Sequence, residues 1–166
     1  MNKKILYVVG VAILAGVLGF AYYTISPLFI SIKVDEALPG QTQEENPAST
    51  ASPEVPSETA TELSRASIVD TPTHPASGFV RVVEAGGKTY LRYEDYKTIN
   101  GPDLYVYLAK DLDAKEFIDL GRLRATEGNI NYEIPANTDV GEYRYALTWC
   151  KQFSVLFNFA DLASQR

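Results

Sequence analysis

The chain has 166 residues, with 15 basic and 21 acidic side chains for a net charge of −6, and only one Cys, one His, one Trp and one Met. This length suggests one domain, and neither a zinc, a blue-copper nor an iron–sulfur ligand set can be assembled from Cys150 and His74. Covalent haem attachment through Cys-x-x-Cys-His is excluded as well, and the absence of a Lys/Arg cluster argues against a nucleic-acid partner.

Residues 1–4 form a short basic start that is expected to be cytoplasmic, and residues 5–32 carry no charge. Ten residues between Ile5 and Tyr23 are Leu, Ile, Val or Phe, which contributes about −3 to −6 kcal/mol to membrane insertion. The run exceeds a signal-peptide core and no Ala-x-Ala cleavage site follows. A retained single-pass signal anchor over 5–32 is therefore expected. Tyr7 and Tyr22-Tyr23 suit interfacial positions, and Pro27 suits the end of the helix. Lys3 and Lys4, set against Lys33, Asp35 and Glu36, place the N-terminus inside and the rest of the chain outside.

Residues 41–77 hold twelve Ser/Thr and five Pro, no aromatic residue, and six acidic groups against one basic. This composition predicts a disordered linker with a span of roughly 35 Å as a flexible chain. It would hold the rest of the chain near the membrane but not against it.

From residue 78 to 166 the pattern changes to short runs of β-branched and aromatic residues separated by turns. Strands are expected over 79–84, 89–93, 104–109, 117–124, 131–134, 144–150 and 153–159, with Ala85-Gly86-Gly87-Lys88 as a hairpin turn. Seven such strands predict an all-β domain, an antiparallel sandwich or barrel. Asn100-Gly101-Pro102-Asp103 enters the third strand as a turn, and turn chemistry is a better account of Asp103 than ligation.

Trp149 and Cys150 lie in the run Arg144 to Cys150. As extended chain it places Tyr143, Tyr145, Leu147 and Trp149 on one face and Arg144, Ala146, Thr148 and Cys150 on the other. The bulky face is expected to be the core face, leaving Cys150 on a small, polar one. A bulge near Lys151 would exchange the faces. Lys151 and Arg144 are the nearest candidates to lower the thiol pKa, and neither is well placed by spacing.

Four stretches in order carry a family resemblance: Asn100 to Leu108, Asp119-Leu120-Gly121-Arg122-Leu123, Gly128-Asn129 leading to Tyr132-Glu133-Ile134-Pro135, and Trp149-Cys150-Lys151-Gln152-Phe153-Ser154-Val155. The chain from about Gly78 to Ala163 resembles the DM-13 domain family, small extracytoplasmic β domains proposed to take part in electron transfer. The resemblance implies that Cys150 is a redox thiol or a ligand to a bound group such as haem, with Trp149 beside it, and that a redox partner protein exists. Leu123-Arg124-Ala125-Thr126-Glu127 departs from the Lys-Gly that usually follows the second motif.

Two functions remain open. One is an anchored extracytoplasmic redox module acting through Cys150. The other is an anchored binding module with an inert cysteine, contacting a partner through Tyr90, Tyr105, Tyr107 and Tyr132, although these residues also suit strand packing. A stand-alone enzyme is not expected, because His74 falls in the expected linker and no Ser/His/Asp set can form inside the domain.

Overall fold

The computed structural model describes residues 3–26, 30–40 and 60–165. Helix α1 (Lys3–Ile25) has 23 residues, all unburied. At 1.5 Å per residue it is about 35 Å long, enough to cross a hydrocarbon core of about 30 Å. It is a candidate membrane span, with no charged residue after Lys4. The helix ends at Ile25, close to the stop expected at Pro27. Ile32 belongs to the domain, where its N–H donates to Thr126 Oγ1 and its carbonyl accepts from the Thr126 and Glu127 amides.

The rest is one curled nine-stranded sheet, a half-barrel. The strands are β1 (Lys33–Asp35), β2 (Thr61–Asp70), β3 (Ala76–Ala85), β4 (Lys88–Thr98), β5 (Leu104–Ala109), β6 (Phe117–Arg122), β7 (Glu127–Ile134), β8 (Tyr145–Cys150) and β9 (Val155–Asp161). Their spatial order is β1-β7-β4-β3-β2-β9-β8-β5-β6, and every pairing is antiparallel except β1 with β7. The expected all-β architecture and all seven expected strands are present, and β1 and β2 are additional.

β2 lies inside the segment expected to be a linker. Its alternate residues Ser64 and Ala66 are buried but small and weakly apolar, so they give little hydrophobic periodicity. The strand forms because β3 and β9 supply backbone partners on both sides. Residues 41–59 fall outside the described residues. Their flanks, β1 and β2, belong to the same sheet, so the Ser/Thr/Pro-rich segment is an insertion within the domain, and the tether from α1 to β1 is short.

The pairings gather the strand ends into two rims. One rim carries Lys33 (opposite Glu127), the β2–β3 turn at Thr71–His74, Thr98 (opposite Ala76), Leu104 (opposite Cys150), and Val155 (also opposite Cys150). The other carries the Ala85–Lys88 hairpin and Ala109 opposite Phe117. The chain enters from α1 at the first rim.

The concave interior is filled by Val80, Val82, Leu91, Tyr93, Tyr96, Val106, Leu108, Ile130 and Tyr132. In β4, Asp95 adopts φ +48 within the irregularity between Tyr93 and Tyr96. That extra residue turns two tyrosines three positions apart to the same interior, where strict alternation would separate them.

Candidate functional site

β8 shows the expected alternation, but with the faces exchanged. Ala146 packs with the main interior and Cys150 with its extension, whereas Leu147 belongs to an outer cluster with Tyr107, Ala109, Tyr145 and Trp149. The physical reason is curvature. Tyr93, Tyr96 and Tyr132 project into the concave side from the other half of the sheet, so β8 can contribute only small side chains there. The bulky face is left to pack outside.

Cys150 is therefore buried, with 1% exposure, among Leu104, Phe157 and the half-buried Ile99 and Leu123. The Asn100-Gly101-Pro102-Asp103 turn closes over this cluster. A Cβ on Gly101 would lie 2.9 Å from the Phe157 ring and 3.0 Å from Leu104 Cδ2, so glycine is what allows the turn to approach. Asn100 Oδ1 accepts from the Gly101 amide, while Asn100 Nδ2 donates to the Ile30 carbonyl at 3.1 Å. The Asp103 carbonyl accepts from the Lys151 amide, and its carboxylate pairs with Arg122. Asp103 lies in this turn with its carboxylate committed to Arg122.

The two cations nearest in sequence are engaged elsewhere. Arg144 pairs with Asp161 at 2.6 Å. Lys151 lies 4.6 Å above the Tyr105 ring and 3.5 Å from Asp119. Trp149 is half-buried on the outer face, opposite Tyr105 and Leu156. Of the four tyrosines expected on a contact face, Tyr107 and Tyr132 are buried and Tyr90 and Tyr105 are half-buried.

His74, expected in the linker, is part of the same rim. Its ring stacks on Phe157 with centroids 3.9 Å apart. Nδ1 is 2.8 Å from Thr71 Oγ1, which also donates to the Phe157 carbonyl. The only His and the only Cys in the chain therefore both associate with Phe157. The signal for His74 was its Thr-Pro-Thr-His-Pro setting, a turn between strands once β2 is recognised. Burial lowers the His74 pKa from its ordinary 6.5. A His that resists protonation when folded binds fewer protons than in the unfolded chain, so its effect is absent above about pH 6.5 and destabilisation grows as pH falls from there to the depressed value, below which it is constant. Melting temperature should consequently decline below pH 6.5, and His74→Phe should remove that part of the decline; an identical pH profile in the variant would refute the assignment.

Behind Cys150 lies a buried polar network. Tyr96 Oη is 2.9 Å from Thr148 Oγ1 and 3.3 Å from Asn158 Oδ1, and Asn158 Nδ2 donates to Thr98 Oγ1 at 3.1 Å. Burial pushes the Tyr96 hydroxyl up to about 12, against the hydrogen bonds from Thr148 and Asn158. Burial raises the pKa of the Tyr93 hydroxyl well above the ordinary value. Both phenols stay protonated at neutral pH.

A family model described as electron transfer DM13 matches residues 68–162, more than half of the chain. The chain belongs to the DM13 electron-transfer family. The match includes His74, Cys150, Phe157 and the last three residues of β2, so the domain starts earlier than residue 78. Comparisons with curated proteins and with solved structures give no significant match.

The surroundings of Cys150 do not fit a haem. The thiol is enclosed by Leu104, Phe157, Ile99 and Leu123. The recess that shares Ile99 with this cluster, lined also by Pro75, Ala76, Ser77, Lys97 and Thr98, measures about 220 Å³, below the roughly 300 Å³ at which ligand pockets begin. Among the described residues no cluster of three or more His, Cys, Asp or Glu is suited to a metal ion.

Proposed function

We propose that this DM13 domain is a membrane-anchored redox module, held outside the cytoplasm by α1, that exchanges electrons through the Cys150 thiol. Membership of an electron-transfer family, in a chain whose only thiol is Cys150, carries the reading. Two lysines before the span, Lys3 and Lys4, against one soon after it, Lys33, support the orientation. Trp149 supports the site as a neighbour that fixes β8 from the outer face.

With no second thiol in the chain, the exchange needs a partner protein bearing a disulfide. The Cys150 thiolate attacks one partner sulfur, the new S–S bond forms as the partner's bond breaks, and the electron pair leaves on the partner's second sulfur, which takes up a proton. A thiol of a second, dithiol-bearing partner then attacks the Cys150 sulfur and releases the first partner as a dithiol. The second partner's other thiolate displaces Cys150, which leaves as thiolate while that partner becomes a disulfide, so one electron pair has passed from the second partner to the first. Access requires local opening, and the Lys151–Ser154 turn is suited to it. Its four residues are exposed, and Ser154 holds φ +52, a conformation that costs a non-glycine residue about 1–3 kcal/mol.

Incubation of the full chain with oxidised glutathione should add one glutathione, removed by dithiothreitol and absent in Cys150→Ser. Phe157→Ala, which uncovers the thiol, should accelerate the reaction. A thiol that reacts only after unfolding, in the parent chain and the Phe157 variant alike, would refute the proposal. That result would favour the second reading, an anchored interaction module. The exposed Phe117 on edge strand β6, stacked on Tyr107 at 4.1 Å, is the observation that favours it.

A further inference from the structure

The helix and the thiol meet at the same end of the half-barrel. α1 ends at Ile25, and the Ile30 carbonyl is already bound by Asn100 Nδ2. Five residues span at most about 18 Å. Asn100 belongs to the turn that covers Cys150, and the hydrogen bonds from Asn100 to Ile30, Ile32 to Thr126 and Thr98 to Thr126 fasten the incoming chain to this rim.

Exposed apolar residues gather here too. Among the described residues outside α1, seven large hydrophobic ones are exposed, and four of them, Ile30, Ile32, Phe153 and Val155, lie on the incoming chain or the β8–β9 turn of this rim. Lys33 and Lys151 stand beside them with 70% and 53% side-chain exposure. Apolar side chains edged by lysines suit the boundary between acyl chains and phosphate head groups, whereas isolated exposure in water brings no gain.

We infer that the rim bearing Cys150 and His74 lies against the lipid bilayer, with Phe153 and Val155 at head-group depth and the Ala85–Lys88 hairpin pointing away. The inference rests on the reading of α1 as a membrane span. It deepens the proposed function by directing the opening over Cys150 toward the membrane surface, so a redox partner must approach along the bilayer.

Trp149, the only tryptophan, reports on this directly. The full chain is placed in phosphatidylcholine nanodiscs with and without nitroxide-labelled head groups. Trp149 fluorescence should be strongly quenched by the label. In the Trp149→Phe/Glu84→Trp double variant the reporter moves to the exposed position opposite Thr89. Tyr96 lies at the level of Thr148, and the seven residues back to Thr89 cover about 23 Å. The fluorescence of this variant should therefore survive.

Equal quenching at the two positions, or none at Trp149, in a chain that co-elutes with the nanodiscs would overturn the orientation while leaving the anchor intact. A chain that elutes apart from the nanodiscs would overturn the anchor and the orientation together.

Discussion

Arg92→Met should lower the unfolding free energy of the domain by about 3–5 kcal/mol, the cost of breaking a buried charge arrangement from one side. Arg92 is buried at 5% exposure in the middle of β4. Its Nε donates to Glu94 Oε1 at 2.8 Å, and one terminal nitrogen donates to the Glu36 and Ala37 carbonyls and to Asn131 Oδ1. Met is close in volume but donates nothing, so the Glu36 carbonyl and Asn131 Oδ1 lose the donor, while the Ala37 carbonyl keeps Asn131 Nδ2. Arg81 still holds Glu94 at 2.9 Å, which keeps the loss toward the lower end.

Burial alone would raise the Glu94 carboxyl, but hydrogen bonds from Arg92 and Arg81 outweigh it and hold the pKa below 4.5. Stability from that carboxylate is thus present above about pH 4.5 and lost as pH falls through the depressed value. Guanidinium unfolding of the full chain in detergent checks both effects. Arg92→Met should shift the midpoint sharply at pH 7, and the gap to the parent should narrow toward pH 3. A midpoint unchanged at pH 7 would refute the role given to Arg92.

Arg92 also illustrates what was legible in the sequence. An Arg between Leu91 and Tyr93 reads as an outward position on an alternating strand, and nothing local signals that Glu36, fifty-six residues earlier, will cover it. The strands from Phe79 onward were legible because turns and β-branched runs are local signals. β1 and β2 were not, since one is three residues long and the other buries Ser64 and Ala66. Their formation depends on partners that sequence periodicity does not reveal.

The candidate site was legible in the same uneven way. Alternation along β8 correctly separated Trp149 from Cys150, but the inner face could not be chosen from size alone. Large residues normally mark a core, and here the opposing tyrosines occupy the concave volume first. Composition placed His74 in a linker for the same reason that it hid β2. The association of both residues with Phe157 is a property of the pairing between β2 and β9, which brings residues eighty-six apart into hydrogen-bond contact at Thr71 and Phe157.

Gly128→Ala should release β1 from the sheet without unfolding the rest. Gly128 has φ +110, and a Cβ there would clash with the Val34 carbonyl oxygen. The nearest obstacle is backbone, so no rotamer change relieves it, and β1 has to move. β1 has three residues, and the segment around it is also tied by side chains: Glu36 and Ala37 accept from Arg92, Glu36 pairs with Arg124, and Asp35 accepts from Asn129. Ile32 accepts from Thr126 and Glu127, Glu36 donates to Asn129, and Lys33 pairs with Glu127. At about 1 kcal/mol for each net hydrogen bond, the three backbone bonds alone account for about 3 kcal/mol, before any backbone strain at a left-handed alanine. In hydrogen exchange on the full chain, the Glu36 and Thr126 amides should lose protection while Leu108 and Val82, in the interior, keep theirs. Because β1 joins α1 to the thiol-bearing rim, the same variant in nanodiscs should show weaker quenching of Trp149 with anchoring unchanged. Retained Glu36 protection together with undiminished quenching would mean that β1 does not hold the rim to the membrane.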